Sequence, residues 1–290
     1  MNALFIVNPV AGRGAALKRW RQLQAYLPRS SRLDAVIPAS CAETRAVAAQ
    51  AARAGVGRVV VVGGDGTLHA VASQLAFTDT SLGVIPAGTG NDFRRNCGLP
   101  RDLEAALAIA LGQATQRVDL GFEAGGRCFV NAAGVGFDAE VAAAANRYPS
   151  GLGGTLPYLL GALQTMATYR PAPMRVTVDD ESFSGPMTLV VVANGPYYGG
   201  GMRVAPAAST GDGKLDICMA GSLGRFELLS LLRRVYTGGH LSHPKVRMLR
   251  GQRIGVQTTG GVKIHLDGEP GGSGQAHFRV EPGALSVAMP

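Results

Sequence analysis

The chain has 290 residues, 46% of them hydrophobic and 17% charged, which is typical of a globular protein with two medium-sized domains and excludes a disordered chain. Lys and Arg outnumber Asp and Glu by 28 to 20, and a formal net charge of +8 favours polyphosphate, nucleic acid or anionic membrane as a partner. Because no helix-turn-helix, zinc-finger or aromatic-and-basic strand signature accompanies the charge, we expect no nucleic-acid partner.

The sequence predicts a soluble, cytoplasmic protein. The apolar run near the start is only five residues long, residues 3–7, and no run of about 18 apolar residues occurs. The cysteines have no paired spacing, so we expect buried thiols in a reducing compartment. They are Cys41, Cys97, Cys128 and Cys218.

Residues 58–71, RVVVVGGDGTLHAV, contain the most informative pattern in the chain. Four consecutive valines predict a strand covered on both faces, and a glycine turn then leads into a helix that we place near Thr67. Glycine lets backbone N–H groups approach a phosphate at a helix N-terminus. Since a carboxylate beside phosphate is repulsive without a divalent cation, Asp65 predicts Mg²⁺ as well as a nucleotide.

Two other strands are followed by similar loops. The strand at 4–7 leads into NPVAGRG at 8–14 and a helix at 15–27, with Arg13 as a candidate phosphate ligand. The strand at 82–85 leads into PAGTGNDF at 86–93, which matches a dinucleotide fingerprint only in part. With a strand at 33–37 and helices at 43–54 and 103–111, the alternation predicts a parallel sheet with helices on both faces over residues 1–120.

Residues 121–290 have a different pattern, typical of a mainly antiparallel, sandwich-like domain. The predicted strands are residues 128–131, 174–178, 187–193, 214–219, 252–257, 262–266 and 276–280. Two helices, at about 157–169 and 223–236, lie between these strands. Their apolar residues have two interpretations, namely that they pack on a sheet or that they contact a membrane.

Two acidic turns lie in this second half. The turn STGDGKLD at 209–216 has the spacing of a hard-cation site, although a simple hairpin explains it about as well. The turn LDGEP at 266–270 places two carboxylates next to a predicted strand, where the alternatives are a catalytic pair and an ordinary Asp-Gly turn.

The motifs at 8–14, 63–71, 86–93, 210–216 and 266–270 together resemble the diacylglycerol kinase catalytic-domain family, in its soluble bacterial lipid kinase branch, which is related to sphingosine kinases. The match spans nearly the whole chain in the family's order. GGDGT alone is unspecific because NAD kinases and phosphofructokinases share it, whereas GTGNDF followed by DGE is more specific. The resemblance implies an ATP- and Mg²⁺-dependent lipid kinase, with ATP in a cleft between an α/β domain and a β-rich domain.

The resemblance also implies roles for individual residues. Asp65 and Asp92 would serve a catalytic Mg²⁺, and Asp212 with carbonyls near Ser209 and Lys214 would hold a structural Mg²⁺. The turn of Asp267 and Glu269 would supply the base, and we favour Glu269 as proton acceptor with Asp267 orienting it. The residues expected around ATP are Asn8, Pro9, Val10, Ala11, Gly12, Arg13, Gly63, Gly64, Asp65, Gly66, Thr67, Leu68, His69 and Thr89.

The chain departs from the family pattern in two places. Residues 37–40, IPAS, stand where a nucleotide-contacting threonine is expected, which leaves Ser40 as the substitute. His69-Ala70 stands where Asn-Glu is usual. The alternatives to a lipid kinase are an NAD-kinase-like enzyme and a non-catalytic nucleotide- or lipid-binding protein.

Two stretches hold much of the positive charge: residues 13–32, with six basic residues and no acid, and residues 225–253, with seven basic residues and a single acid, Glu227. A solvated basic face is one interpretation of such stretches, and binding to an anionic partner is the other. The asymmetry of the second stretch predicts peripheral attachment to an anionic membrane surface when the enzyme is active. Its basic residues are Arg225, Arg233, Arg234, Lys245, Arg247, Arg250 and Arg253. The sequence leaves the oligomeric state open, a homodimer included.

Overall fold

The computed structural model describes residues 2–27, 33–148 and 156–290. The chain forms two compact units, one made of Met1–Asp119 with Gly283–Pro290 and the other of Leu120–Pro282. The sequence predicts a boundary after residue 120 and assigns all later residues to the second domain, whereas Gly283–Pro290 belong to the first unit.

The first unit is an α/β domain built on parallel strands in the order β2-β1-β3-β4. Its strands are β1 (Ala3–Val7), β2 (Leu33–Val36), β3 (Arg58–Gly63) and β4 (Ser81–Pro86). Its helices are α1 (Ala15–Leu23), α2 (Cys41–Arg53), α3 (Asp65–Leu75), α4 (Asp92–Asn96) and α5 (Leu103–Leu111). The final residues of the chain add a parallel strand, with Val287 opposite Leu82.

Both faces of this sheet are buried, as the unbroken valine run of β3 predicts. All six residues of β3 are buried. The side chains that alternate with Val60 and Val62 point to the opposite face, since neighbouring residues of a strand do so. The Val60 and Val62 face packs against α1 and α5, while α2 and α3 pack together on the other side. The predicted parallel sheet with helices on both faces is therefore confirmed.

The second unit is a mainly antiparallel, sandwich-like domain, as predicted. Its strands are β6 (Cys128–Phe129), β7 (Ala132–Gly136), β8 (Ala172–Val178), β9 (Glu181–Ala193), β10 (Leu215–Gly221), β11 (Val246–Gly251), β12 (Arg253–Thr258), β13 (Lys263–Leu266) and β14 (Glu269–Ser273). Two strands, β5 (Thr115–Glu123) and β15 (Ala276–Ala288), have residues in both units. The helices are α6 (Phe137–Ala145), α7 (Leu156–Thr168) and α8 (Arg225–Arg234), followed by 3-10 turns at Val235–Thr237 and Gly239–Ser242.

Our predicted strands omit β5, β11 and β14, and three helix predictions need correction. The second unit contains α6 in addition to the two helices expected there, and its signals are the alanine run and the acidic first turn of Asp138 and Glu140. Helix α1 ends at Leu23 instead of residue 27, and the chain continues as turns in which the N–H groups of Tyr26 and Leu27 donate to the carbonyl of Leu23. Helix α3 begins at Asp65, two residues before Thr67.

The expectation of buried thiols holds for only part of the cysteines. Cys128 and Cys218 are buried, Cys97 is half-buried and Cys41 is exposed at the start of α2. Burial, reinforced by the charge of Asp138, raises the pKa of Cys218 to about 12. Because the thiolate is the reactive form, Cys218 is a packing residue and not a nucleophile.

Candidate active site

The three glycine loops predicted from the sequence meet at the carboxyl ends of β1, β3 and β4. Asn8, which follows β1, donates from Nδ2 to Thr67 Oγ1 on α3 at 2.8 Å. Its backbone N–H donates to the carbonyl of Val62 at the end of β3. Parallel strands end at the same edge of a sheet, so loops that are distant in sequence become neighbours there.

Glycine is required where these loops touch. A Cβ atom on Gly88 would lie 2.5 Å from the Cα of Gly64, and one on Gly12 would lie 2.1 Å from the carbonyl oxygen of Ala87. Gly12 also has a φ of +60°, which a side chain disfavours. The glycines therefore let three backbone segments approach closely, which is the arrangement that a phosphate cradle needs.

The N-terminus of α3 is open toward this loop cluster. Its N-cap residue, Gly64, has an extended backbone and supplies no side-chain hydrogen bond to the first turn. Gly66, in that turn, is exposed, and a Cβ added to it would have no atom within 4 Å. Backbone N–H groups with the positive end of the helix dipole behind them bind anions, so this turn is suited to a phosphate.

The other two loops are braced internally. Asn8 Oδ1 accepts the N–H of Val10 at 3.2 Å, and the side chain of Asn91 both accepts from the N–H of Gly88 at 3.0 Å and donates to its carbonyl at 2.6 Å. Three predicted nucleotide ligands, Val10, Arg13 and Thr89, are exposed in these loops, and Pro9, Ala11 and Gly12 are half-buried beside them.

Not every predicted nucleotide ligand has an accessible side chain. Leu68 and His69 are buried on α3, at 3% and 7% exposure, so their side chains contribute to the core of the unit. Ser40 is the N-cap of α2, and its Oγ accepts the N–H of Glu43 at 3.1 Å. Its nucleotide contact stays a prediction.

The two acids predicted to serve a catalytic Mg²⁺ come together. Asp65 Oδ1 accepts the backbone N–H of Phe93 at 3.2 Å, directly beside Asp92. Asp92 is buried at 4% exposure and pairs with Arg95 at 2.7 Å. Protein sites for Mg²⁺ commonly use one or two carboxylates and complete the octahedron with water and substrate phosphates. Asp65 can supply such a carboxylate, whereas Asp92 would have to exchange its Arg95 partner, so the Mg²⁺ at this pair stays a prediction, as it does at Asp212.

Within the described residues, no cluster of three or more His, Cys, Asp or Glu side chains could hold a metal ion. A two-carboxylate site lacks enough protein ligands to retain Mg²⁺ by itself. In a predicted Mg²⁺ site at Asp65 and Asp92, nucleotide phosphates would complete the coordination.

Asp212 fits its predicted structural Mg²⁺ less well. Its Oδ1 accepts the N–H of Lys214 at 3.1 Å and its Oδ2 pairs with the guanidinium of Arg250, which also reaches Asp216 at 3.3 Å. Burial raises the pKa of Asp216, and Arg250 opposes that shift. Ser209 is exposed in the same turn. Because an arginine already balances both carboxylates, the metal at Asp212 stays a prediction.

The acidic turn of the second unit is a two-residue hairpin between β13 and β14. Asp267 and Gly268 have φ values of 48° and 85°, and Leu266 pairs with Glu269 across the turn. Positive φ at both central residues is characteristic of a type I′ turn, for which Asp-Gly is a preferred sequence.

The two acids of this turn have different surroundings. The Asp267 carboxylate accepts backbone N–H groups from Val130 at 2.7 Å, Asn131 at 2.9 Å and Ala132 at 3.0 Å. Glu269 is exposed at the start of β14. Asp267 therefore anchors the turn, whereas the side chain of Glu269 is exposed, and its role as the base stays a prediction.

A buried polar group that the sequence does not predict lies beside this turn. His265 and Asp138 pair at 3.1 Å, and Tyr198 contacts both. The available signal was a histidine two residues before Asp267, at an inward position of a predicted strand. The partners lie far away in sequence, so the chain alone does not indicate the group.

None of the described helices is long and apolar enough to cross a membrane.

Family models match both halves of the chain: residues 2–122 match the diacylglycerol kinase catalytic domain, and residues 131–289 match the YegS C-terminal NAD kinase beta sandwich-like domain.

Two relatives illustrate the similarity in sequence. A protein of Mycobacterium tuberculosis named "Diacylglycerol kinase" is 34% identical over 294 residues, which cover 98% of this chain and 94% of that protein. A protein of Pseudomonas aeruginosa named "Probable lipid kinase YegS-like" is 33% identical over 250 residues, which cover 86% of this chain and 82% of that protein.

Solved structures show the same fold. The crystal structure of a diacylglycerol kinase from Bacillus anthracis str. Sterne covers the whole chain with a TM-score of 0.75 at 22% identity, and 97% of that structure is matched. A second structure from the same strain has a TM-score of 0.82 at 24% identity and is matched over 95% of its length. From the two family models and the extent of the sequence matches, the chain belongs to the diacylglycerol kinase family of lipid kinases.

Proposed function

We propose that the protein transfers the γ-phosphoryl group of ATP, with Mg²⁺, to the hydroxyl of diacylglycerol or a related lipid alcohol. The observation that carries this proposal is the convergence of three glycine loops with Asp65 and Asp92, in a chain whose family consists of kinases. Phosphoryl transfer depends mainly on positioning and on balancing negative charge, and the loops and the acids supply these two functions.

In this proposal the first unit holds the nucleotide. Backbone N–H groups of Gly64, Gly66 and their neighbours bind phosphate oxygens, and Asn8 braces the first loop against α3 through Thr67. Asp65 and Asp92 would hold Mg²⁺, which offsets phosphate charge when bound. Arg13 is exposed beside the loops and is suited to bind a phosphate through its guanidinium.

The second unit supplies the base. As the lipid oxygen forms its bond to the γ-phosphorus and the bond to ADP breaks, the hydroxyl proton passes to the Glu269 carboxylate. Asp267 is unsuited to this task because three backbone N–H groups already occupy its oxygens. It keeps the hairpin in place instead.

One assay panel tests the proposed reaction. Purified protein is incubated with ATP, Mg²⁺ and either lipid extract or NAD, and products are identified by mass, with Asp65→Asn as a variant that should lose activity. A lipid heavier by one phosphoryl group supports the proposal. Phosphorylated NAD instead supports the NAD-kinase-like alternative, and no product on any acceptor supports a non-catalytic binding protein; either result would overturn the proposal.

We further propose that the lipid is reached at an anionic membrane surface through a docking face on the second unit. This face consists of exposed apolar residues on α7 and α8, spaced three or four residues apart, namely Leu156, Leu159, Leu163, Phe226 and Leu229. Phe226 is 89% exposed. Arg225 links the helices by donating to the carbonyl of Ala167 at 2.6 Å. An apolar helical face next to basic side chains suits the interface of a bilayer.

The basic residues predicted to attract the membrane differ in whether other side chains of the protein already pair with them. Lys245 pairs with Glu227 at 2.8 Å, Arg250 pairs with acids, and Arg247 lies 5.0 Å from the ring centroid of Phe183. Arg233 and Arg234 are exposed at the end of α8, close to the docking face. We therefore assign the electrostatic contribution mainly to these two, at about 1 kcal/mol each near an anionic surface.

Vesicle cosedimentation tests the docking face. Phe226→Ser with Leu229→Ser should weaken binding to anionic vesicles, and salt should weaken wild-type binding further. Phe77→Ser is the matched control, because Phe77 is 62% exposed on the first unit. Wild-type binding that is indifferent to anionic lipid, or a Phe77→Ser loss as large as that of the double variant, would contradict the assignment.

A further inference from the structure

A buried polar cluster lies directly behind the hairpin that carries Glu269. His265 on β13 is 2% exposed, and its Nε2 lies 3.1 Å from Asp138 Oδ2 at the start of α6. The hydroxyl of Tyr198 lies 3.2 Å from the same oxygen, and its ring stacks on His265 with centroids 5.6 Å apart. Three residues from distant parts of the sequence thus form one group, which we call the His265 cluster.

Space for the cluster is provided by a glycine on the neighbouring strand. A Cβ atom on Gly134 would lie 1.8 Å from Asp138 Oδ2 and 2.5 Å from His265 Nε2. Any side chain at this position would separate the carboxylate from the imidazole. The pair is therefore built into the sheet and is more than a chance contact between long side chains.

The hydrogen bonds of the cluster define the tautomer of His265. The backbone N–H of Gly268 donates to His265 Nδ1 at 3.1 Å, so Nδ1 must carry a lone pair. The ring proton of the neutral imidazole is then on Nε2, where it donates to Asp138. A carboxylate that accepts from one ring nitrogen keeps the other free to accept, because it stabilises that tautomer.

Through Gly268 the cluster reaches the hairpin itself. Gly268 is the second residue of the Asp-Gly turn, and its N–H is held by His265 while its carbonyl accepts from Asn146 Nδ2 at 3.1 Å. Asp267 fixes the first residue of the turn through three backbone N–H groups. The next residue in the chain is Glu269, so both anchors determine where its backbone lies.

We propose that His265, held as its Nε2–H tautomer by Asp138 and Tyr198, is a positioning residue that fixes the amide of Gly268 and thereby the carboxylate of Glu269. The proposal rests on the proposed function, in which Glu269 accepts the proton of the lipid hydroxyl. A general base must be within hydrogen-bond reach of that proton, and a misplacement of about 1 Å can cost roughly 10²-fold in rate.

Two amide substitutions of His265 separate the two ring nitrogens. The Asn oxygen in His265→Asn can take the place of Nδ1 and accept from Gly268, whereas the amide in His265→Gln reaches the place of Nε2 and leaves Gly268 without its acceptor. Both variants lose the ring and its stacking on Tyr198. A purely structural role therefore predicts similar losses, while the proposal predicts kcat within about threefold of wild type for Asn and about 10–100-fold lower for Gln.

Asp138→Asn tests the tautomer. Asp138 Oδ1 accepts the N–H of Ala139 at 3.0 Å, so the amide oxygen should remain there and the NH₂ group should face His265 Nε2. The ring proton then moves to Nδ1, opposite the Gly268 N–H. We expect kcat to fall about 10–100-fold with the Michaelis constant for ATP nearly unchanged, since the nucleotide loops belong to the other unit.

The experiment combines kinetics, thermal melting and ¹⁵N NMR of the imidazoles in wild type and the three variants, and it adds the kinetics of Glu269→Gln. The expected result is an Nε2–H signal for His265 in wild type, an Nδ1–H signal in Asp138→Asn, and loss of kcat in Asp138→Asn and His265→Gln but not in His265→Asn. Equal losses in both His265 variants, or an Nδ1–H signal in wild type, would overturn the inference. If wild type phosphorylates lipid and only Glu269→Gln is inactive, the positioning role of His265 is wrong and the proposed function stands. If wild type phosphorylates no lipid, the proposed function itself is wrong.

Discussion

The phosphate cradle can be tested at Gly66, where an added methyl group should affect the ligand without harming the protein. Gly66 lies in the first turn of α3, its φ is not positive, and a Cβ would have no protein atom within 4 Å. Gly66→Ala therefore carries no steric cost in the folded chain. Replacing Gly by Ala in a helix is worth about 0.5–1 kcal/mol, so the variant should melt at the same temperature as wild type or about 2–4 °C higher.

The same methyl group should weaken ATP binding. If the open space beside Gly66 is where a phosphate oxygen approaches the backbone, a Cβ there displaces that oxygen. We expect at least about a tenfold loss of ATP affinity, equivalent to about 1.4 kcal/mol. Calorimetric titration with Mg-ATP and thermal melting measure the two effects independently, and opposite signs in stability and affinity are the expected signature.

Two other glycines serve as comparisons. A Cβ on Gly57, at the opposite end of β3, would meet only the carbonyl oxygen of Asn2 at 3.4 Å, so Gly57→Ala should leave ATP affinity unchanged. Gly88→Ala would place its methyl 2.5 Å from Gly64 and should destabilise the unit by about 1–3 kcal/mol through overpacking. An unchanged ATP affinity in Gly66→Ala would refute the assignment of this turn to phosphate binding.

Asp267→Asn should lower the free energy of unfolding by about 2–4 kcal/mol in denaturant titrations, because an amide N–H of the new side chain then faces a backbone N–H donor. Glu269→Gln, at an exposed position, should change stability by less than about 0.5 kcal/mol and lower kcat roughly 10²–10⁴-fold. Full activity of Glu269→Gln would exclude Glu269 as the base. Asp65→Asn should weaken Mg²⁺ binding only when ATP is present, which titrations of Mn²⁺ with and without nucleotide would measure. A loss of Mn²⁺ affinity in both titrations would show that the site binds metal without nucleotide. Asp212→Asn should lower metal content and melting temperature if a structural Mg²⁺ is bound there, and elemental analysis identical to wild type would leave the turn without metal. Burial lowers the pKa of His240, so its contribution to stability should be complete above the unfolded-state pKa of about 6.5 and decline as the pH falls below that value. Between pH 7.5 and pH 5.5 the melting temperature should fall less for His240→Gln than for wild type. An equal fall in melting temperature would assign the pH dependence to other groups.

Local patterns determined much of the first unit. The valine run of β3, buried on both faces, and the glycines after β1, β3 and β4 predicted a parallel sheet with phosphate-suited loops, because periodicity and turn chemistry depend on neighbouring residues alone. The shared position of those loops also followed, since parallel strands end at one edge. For the same reason the Asp-Gly turn at 266–270 was predicted, although the strand Glu269–Ser273 that makes it a hairpin was not.

Tertiary structure decided the roles within these motifs. The sequence placed Asp267 and Glu269 on one turn and favoured Glu269 as the base without a structural reason for the choice. Only folding brings the N–H groups of residues 130–132 to Asp267 and leaves Glu269 exposed. Only the fold shows that Arg250, 38 residues away, pairs with Asp212, and the metal predicted at Asp212 stays a prediction. The His265 cluster joins residues separated by 60–127 positions, and no local pattern reports such contacts because they depend on how strands and helices pack.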